Sequence, residues 1–247
     1  MKNFIKNILI SLWSPFKPNK NQFFLFIMGL PRSGSSLLMH ILESNNELIG
    51  YGEYFIKYTC SKKLLKSEFD IRRKSGQLFK NCKYIVNQVN HHSVTPKLDV
   101  INTEKNKYIM LIRNPEETIS SILILSNNKG MSMSEETVTS IYIERLDYLM
   151  KISKIINQEN WIFIDYKDLI NDSDAILKKI TAFLNLNKPL NSSYQLKKFT
   201  QKWGDPSINI TQGKIIKTNS KKIKIKPELL EKAILKILTQ EKMKNIK

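Results

Sequence analysis

The sequence has few residues that could build a metal centre or a disulfide framework. Its 247 residues include two cysteines, Cys60 and Cys82, and three histidines. Their spacing does not match a zinc site, and two cysteines are too few for a disulfide-stapled fold. We therefore predict that the protein holds no metal ion and occupies a reducing, cytoplasmic compartment.

Long apolar runs are also absent. No stretch approaches the ~20 consecutive apolar residues that a membrane-spanning helix requires. The N-terminus starts with a basic residue and a short apolar stretch, but it lacks the small-residue cleavage site of a signal peptide. We predict that residues 1–22 form an N-terminal extension with a short helix packed on the domain. Peripheral contact of this segment with a membrane surface is the alternative.

Acidic residues are scarce relative to basic ones. Lysine and arginine outnumber aspartate and glutamate 40 to 22, which gives a formal net charge of +18. Such a surface attracts anions such as nucleotides, sulfated compounds, anionic lipids or nucleic acid. Because lysine and asparagine are abundant from end to end, a general compositional bias explains the charge equally well. No aromatic-rich nucleic-acid motif accompanies the charge, so we predict no nucleic-acid partner.

Strand-like and helix-like segments alternate along the chain, without repeats or a domain linker. This alternation predicts a single α/β domain over residues 23–247, with a mainly parallel central sheet flanked by helices. The predicted strands are residues 23–28, 84–89, 108–112 and 161–165. Helices are predicted to begin at Ser35, at Pro115, at a capping box over residues 132–135, near Ala175 and at Pro227.

A loop rich in glycine and serine joins the first strand to the first helix, with the sequence Gly29-Leu-Pro-Arg-Ser-Gly34-Ser35-Ser36. Its glycines have the spacing of the nucleotide-binding loop G-x-x-x-x-G-K-[ST], in which backbone N–H groups surround a phosphate at a helix N-terminus. We therefore predict a P-loop-like nucleotide-binding fold. The lysine position is occupied by Ser35, and a cation stands inside the loop instead, at Arg32. This change argues against ATP or GTP hydrolysis and suits one phosphate that carries one leaving group.

A second anion site is predicted after the third strand. Arg113 follows that strand directly, and Asn114 and Pro115 then begin a helix, in which we expect Glu117 to close a capping box. Ser121 lies two turns along this helix, on a related face. An arginine here can offer a two-pronged hydrogen-bond donor to a phosphate.

These two motifs resemble those of the sulfotransferases that use 3′-phosphoadenosine 5′-phosphosulfate (PAPS), in the Pro-Arg-Ser-Gly form found in bacterial and tyrosylprotein-like members. The sequences WIFIDYKDLI (161–170) and ITAFLNL (180–186) resemble the family's late strand, turn and helix. Lys167 departs from the acidic residue usual there. Trp203-Gly-Asp-Pro206 resembles the family's late loop only weakly. The resemblance spans residues 23 to 186.

The resemblance implies in-line transfer of a sulfuryl group from PAPS to a hydroxyl or amine of an acceptor, a small molecule or glycan. Arg32 would stabilise charge on the departing phosphate. Arg113 and Ser121 would bind the 3′-phosphate. The implied ligands of the 5′-phosphosulfate are Arg32, Ser33, Gly34, Ser35 and Ser36.

The general base has more than one candidate. Glu53, in Gly50-Tyr-Gly-Glu53, stands about as far from the loop as the Gly-Glu pair that supplies the base in several of these sulfotransferases. His91 and His92 follow the second strand, where the cytosolic members place a catalytic histidine. We favour Glu53 and keep His91 or His92 as the alternative. His40 lies on an apolar helix, and we expect it at the edge of the core.

Two other functions stay open on the sequence alone. One is a P-loop nucleotide kinase or NTPase, which Ser35 in the lysine position opposes. The other is a non-catalytic basic module that binds anionic lipid or nucleic acid. The acceptor pocket would be shaped by residues 54–79, 127–133 and 192–222, which carry no recognisable specificity motif.

Overall fold

A five-stranded sheet forms the centre of the computed structural model, which describes residues 2–20, 22–91, 96–201, 207–217 and 223–244. The strands are β1 (Phe23–Gly29), β2 (Leu48–Ile49), β3 (Tyr84–Gln88), β4 (Lys107–Ile112) and β5 (Trp161–Asp165). Their order is β2-β3-β1-β4-β5, and every neighbouring pair is parallel. The predicted α/β class with a mainly parallel sheet is confirmed. The two-residue strand β2 was not predicted, since so short a segment carries no periodicity.

Strand β1 lies in the middle of the sheet and is buried on both faces. Phe24, Phe26 and Met28 pack into one apolar cluster, whereas Leu25 and Ile27 pack into the cluster on the opposite face. Because helices cover both faces of a parallel sheet, the side chains of a central strand are buried and apolar on both faces. This double burial explains the continuous apolar run of β1.

The helices flank this sheet. They are α1 (Lys2–Trp13), α2 (Ser35–Glu43), α3 (Ser61–Ser75), α4 (Leu98–Ile101), α5 (Pro115–Asn128), α6 (Glu135–Ile155), α7 (Tyr166–Asn171), α8 (Ser173–Phe183) and α9 (Pro227–Lys244). The predicted starts of α2, α5 and α9 are confirmed. In the part of the chain that is described, no helix is both long and apolar enough to cross a bilayer.

Two helix caps differ from the prediction in detail. The Asn114 side chain accepts a hydrogen bond from the Glu117 backbone N–H at 3.2 Å, as a cap should. The Glu117 carboxylate, however, accepts from Arg113 instead of closing a capping box. Helix α6 is capped by Ser134, not Ser132, and its hydroxyl accepts from the backbone N–H of Thr137 at 3.2 Å.

The N-terminal helix α1 packs on α3, as predicted for the N-terminal segment. Trp13 meets Phe69 edge to face, with ring centroids 5.3 Å apart, and Ile10 completes this small apolar contact. Lys6 on α1 forms an ion pair with the buried Asp70 on α3. The proposed division of the chain after residue 22 stays a prediction.

The topology places one crevice at the carboxyl edge of the sheet. After β1 the chain passes to β2 and β3 on one side, and it then crosses to β4 and β5 on the other. Loops that leave neighbouring strands in opposite directions open a crevice between them, and ligands of open α/β sheets bind there. The loops after β1, β3 and β4 all meet at this point.

Candidate active site

A cavity of about 530 Å³ occupies this crevice. It brings together most of the residues that the sequence singled out, although they lie up to 81 residues apart along the chain. The predicted site residues that line it are Arg32, Gly34, Ser35, Ser36, Glu53, His91 and Arg113. One cavity therefore holds a cationic loop, a second arginine and two candidate bases.

The loop between β1 and α2 depends on unusual backbone conformations. Arg32 and Gly34 have φ angles of 66° and 90°, in the left-handed region. A Cβ atom on Gly34 would lie 2.4 Å from a ring carbon of Tyr166, so a side chain does not fit there. Because Gly34 caps α2, the N–H groups of the first helical turn lack intrahelical acceptors. These groups and the positive end of the helix dipole suit an anion.

Two serines of the loop are held by hydrogen bonds within the protein. Ser33 is fully buried, and its hydroxyl donates to the Leu30 carbonyl at 2.7 Å. The Ser35 hydroxyl accepts from the Asn90 side-chain amide at 2.8 Å, and the same Asn90 accepts from the Gly29 backbone N–H at 3.1 Å. The ligand role of Ser33 stays a prediction, while its observed contact fixes the shape of the loop.

The two predicted anion sites touch each other. Arg113 donates from one terminal nitrogen to the Arg32 carbonyl at 2.9 Å and from Nε to Glu117 at 3.0 Å. Arg32 in turn donates from Nε to the Ser121 hydroxyl at 3.1 Å. The Arg113 guanidinium also lies over the Tyr166 ring, 4.5 Å from its centroid. The arginines are thus fixed in position from several sides.

Glu53 has the electrostatic environment of a base that titrates near neutrality. Its Oε1 atom is buried and has no hydrogen-bond partner in the described part of the chain. Burial disfavours the charged carboxylate and raises the pKa of Glu53 from 4.5 to about 7, against the opposing effect of the Arg145 charge. Perturbed pKa values of this kind mark groups suited to proton transfer.

Arg145, which was not predicted, lies close enough to Glu53 for its charge to act on the carboxylate. It is fully buried, and its Nε donates to the Gly29 carbonyl at 2.9 Å while a terminal nitrogen donates to the Val89 carbonyl. The guanidinium therefore joins the carboxyl ends of β1 and β3. Burial lowers the pKa of Arg145 to about 10. The sequence did indicate that Arg145 is buried, because it shares its helix face with the apolar residues Tyr142, Leu146 and Leu149, which are all fully buried.

Comparison with known proteins identifies the family. The sequence model of the family described as "Sulfotransferase domain" matches residues 24–245. This chain belongs to the sulfotransferase family. The match confirms the predicted membership and supports sulfuryl transfer over nucleotide kinase chemistry. A search of curated protein sequences found no match.

Solved sulfotransferase structures share the fold. The sulfotransferase domain from the curacin biosynthetic pathway superposes with a TM-score of 0.62 at 17% identity, covering 87% of this chain and 97% of its own. The sulfotransferase domain of the Synechococcus PCC 7002 olefin synthase gives a TM-score of 0.59 at 15% identity, over 89% and 97% of the two chains. A sulfotransferase of Mycobacterium tuberculosis H37Rv gives 0.52 at 11% identity, over 86% and 76%. At these identities the likeness concerns the fold.

The histidines of this sulfotransferase have different surroundings. His91 is exposed, and its ring centroid lies 5.4 Å from that of Phe55 at the cavity. His92 and the Trp203-Pro206 loop lie outside the described residues. His40 is buried, as expected, and bridges the Ser36 carbonyl at 2.7 Å and the Thr200 hydroxyl at 2.9 Å. His40 therefore holds the start of α2 against a distant loop.

Each segment that the sequence assigned to the acceptor pocket contributes to the cavity wall. Phe55, Lys129 and Lys214 represent the three segments there. Across the described residues, no group of three histidine, cysteine or acidic side chains is placed to hold a metal ion. Tyr166 and Asn90, which sequence reasoning also missed, lie against the loop between β1 and α2, at Gly34 and at Ser35.

Proposed function

We propose that this sulfotransferase takes a sulfuryl group from PAPS and transfers it to a hydroxyl or amine of its acceptor. One observation carries the proposal: the Arg32 loop, Arg113 and a partly buried Glu53 with a pKa of about 7 share one cavity. The cations suit a doubly phosphorylated nucleotide, and the carboxylate suits removal of the acceptor's proton.

The loop residues fit the donor nucleotide. The first turn of α2 offers backbone N–H groups, and glycine at position 34 lets the loop take its left-handed conformation against the Tyr166 ring. Arg32, Ser35 and Ser36 would hold the 5′-phosphosulfate, and Arg113 with Ser121 would hold the 3′-phosphate. When bound, PAPS supplies a sulfuryl group joined through an oxygen to its 5′-phosphate. The hydrogen bond between Arg32 and Ser121 keeps the two sites in a fixed relation.

Glu53 is the base in this proposal. A carboxyl group with a pKa near 7 is partly ionised at neutral pH and still basic enough to take a proton as the acceptor oxygen or nitrogen attacks. Arg32 places positive charge where the departing phosphate gains negative charge, which lowers the barrier. Arg145 acts as a positioning residue, because it fixes the strand ends that carry the loop and Asn90. His91 is the second candidate base.

Calorimetric titration with 3′,5′-adenosine bisphosphate, AMP and ATP tests the nucleotide part. We expect the bisphosphate to bind most tightly, because it alone presents phosphates to both the loop and Arg113. At 100 times its Kd it should stabilise the fold by about 2.7 kcal/mol. Equal affinities for the bisphosphate and AMP would remove the 3′-phosphate site from the proposal.

The acceptor is proposed to be a small molecule or a glycan that enters between Phe55, Lys129 and Lys214. Release of the bisphosphate from PAPS, followed with a panel of hydroxyl and amine compounds, tests this. We also propose that the reaction takes place in the cytoplasm.

A further inference from the structure

Helix α1 has an apolar face that the described part of the protein does not cover. Its inward side is packed, through Ile10 and Trp13 against Phe69. The outward side and the turn after the helix present large apolar side chains that are 44–75% exposed: Phe4, Ile5, Ile8, Leu9, Leu12 and Phe16. Scattered single apolar residues are normal on a surface, but a contiguous group marks an interaction site.

The exposed residues form one stripe along the helix. Positions 4, 5, 8, 9 and 12 recur every three to four residues, which places them on a single side of an α-helix, opposite Ile10 and Trp13. The helix is held in place from behind. Lys6 pairs with Asp70, and the Trp13 indole donates to the Leu78 carbonyl at 3.3 Å. The stripe is therefore presented outward by a helix that is already anchored.

The charged residues of α1 and of the turn after it are all lysines. The first acidic residue of the chain is Glu43, whereas four lysines occur in the first twenty residues. A shallow hollow follows Phe16 and is lined by Lys17, Lys20 and Lys105. Lys20 and Lys105 are exposed. Glu68, the acidic residue of that hollow, is nearly buried and paired with Lys17 at 3.1 Å and with Arg72. The exposed charged side chains that line the hollow are therefore lysines.

We propose that α1 and Phe16 dock on the surface of an anionic lipid bilayer. The apolar stripe would enter the boundary between headgroups and acyl chains, and the neighbouring lysines would face the lipid phosphates. The stripe is convex, which suits a fluid surface. Two copies of this chain meeting through α1 would bring together segments that both lack acidic side chains, and like charges oppose such contact. This docking is independent of the sulfuryl-transfer proposal.

Vesicle co-sedimentation of the full chain tests the docking. The probes are vesicles of phosphatidylcholine alone and of phosphatidylcholine with about one third phosphatidylserine, at low and high salt. Wild type should bind the anionic vesicles, more weakly at high salt. Phe4→Ser/Leu12→Ser/Phe16→Ser should weaken that binding by at least about tenfold, since it removes most of the apolar area that the bilayer would bury.

The control variant is Met131→Ser/Ile155→Ser/Leu196→Ser, which removes large apolar side chains that are 45–54% exposed elsewhere on the surface. It should bind anionic vesicles like wild type, and circular dichroism should show both variants folded. Three results would overturn the proposal: no binding of wild type to anionic vesicles, equal loss in the control variant, or a wild-type dimer in sedimentation velocity that the α1 variant converts to a monomer. The last result would assign the stripe to a second copy of the chain.

Discussion

Replacing Glu53 with glutamine should make the protein more stable at alkaline pH. The side chain is partly buried, and its Oε1 atom is buried without a hydrogen-bond partner in the described part of the chain. Glutamine keeps the size and shape of the side chain but never bears the charge. The substitution therefore removes the cost of an ionised group in a poorly solvated place.

The magnitude follows from the pKa. An unfolded chain would have the ordinary Glu53 pKa of 4.5, whereas burial raises it to about 7 in the fold. Between these two pH values the native state binds more protons than the unfolded state. The protonated Glu53 therefore contributes its full stabilisation below pH 4.5, and this contribution is lost as the pH rises through about 7. The full difference corresponds to about 3 kcal/mol. When the pH is raised from about 5 to about 8, the free energy of unfolding of the variant should increase by about 2–3 kcal/mol relative to that of wild type.

Urea denaturation of both proteins at the two pH values measures this gain. Glu43 has a raised pKa of about 8 and titrates in the same range, but both proteins retain it, so its effect cancels in the difference. Glu104→Gln, at an exposed position, corrects for the chemistry of the substitution itself. A Glu53→Gln difference that is the same at both pH values would refute the reasoning, because it would show that Glu53 is charged throughout.

The same variant tests the base. Nucleotide binding should persist, while turnover should fall by roughly 10²–10⁴-fold. His91→Asn and His92→Asn are the comparison variants. A Glu53→Gln enzyme of normal activity beside an inactive histidine variant would transfer the role of base to that histidine.

Substitutions at four further positions address the framework of the site. Arg113→Ala should weaken binding of 3′,5′-adenosine bisphosphate by about 1.5–3 kcal/mol in calorimetry, and Ser121→Ala by less; unchanged affinity in the double variant would contradict the assignment. Gly34→Ala should destabilise the fold by about 2 kcal/mol or more in urea denaturation, because of its φ of 90° and the 2.4 Å approach to Tyr166; a neutral result would argue against the loop conformation. Arg145→Met should move the midpoint of the pH–activity profile above 7, because the charge that lowers the pKa of Glu53 is lost. Arg145→Lys keeps the charge and should move the midpoint less. An unmoved midpoint in Arg145→Met would show that Arg145 and Glu53 are not coupled.

The sequence predicted the parts of the site that depend on local order. A buried strand, a glycine-containing turn and a helix start are consecutive in the chain, so spacing alone locates the phosphate loop between β1 and α2. Arg113 follows a second strand for the same reason. Because carboxyl ends of parallel strands meet at one edge, these two segments had to come together. Their direct contact, through the Arg32 carbonyl, follows from that geometry.

Residues that act across the fold were harder to predict. Asn90 lies 55 residues from Ser35, and Arg145 lies 116 residues from Gly29. No local pattern connects partners at such distances. Helix α3 was missed for another reason. Its buried stretch mixes the apolar Phe69 and Ile71 with the charged Glu68, Asp70 and Arg72, which pair with one another or with distant groups. Buried charges of this kind read as surface residues in the sequence.

These buried charges have a consequence for Glu53. Asp70 accepts hydrogen bonds from Lys6 on α1 and from the hydroxyl of Tyr54, the residue next to Glu53. The Tyr54 backbone is also held by the Asn87 side chain of β3, which accepts from its N–H at 3.1 Å and donates to its carbonyl at 3.2 Å. The proposed base therefore stands beside a residue that is fixed by strand β3 and by helices α3 and α1. A fixed backbone at this point limits the free energy lost in positioning the proposed base when an acceptor arrives, and it depends on polar groups far from the cavity.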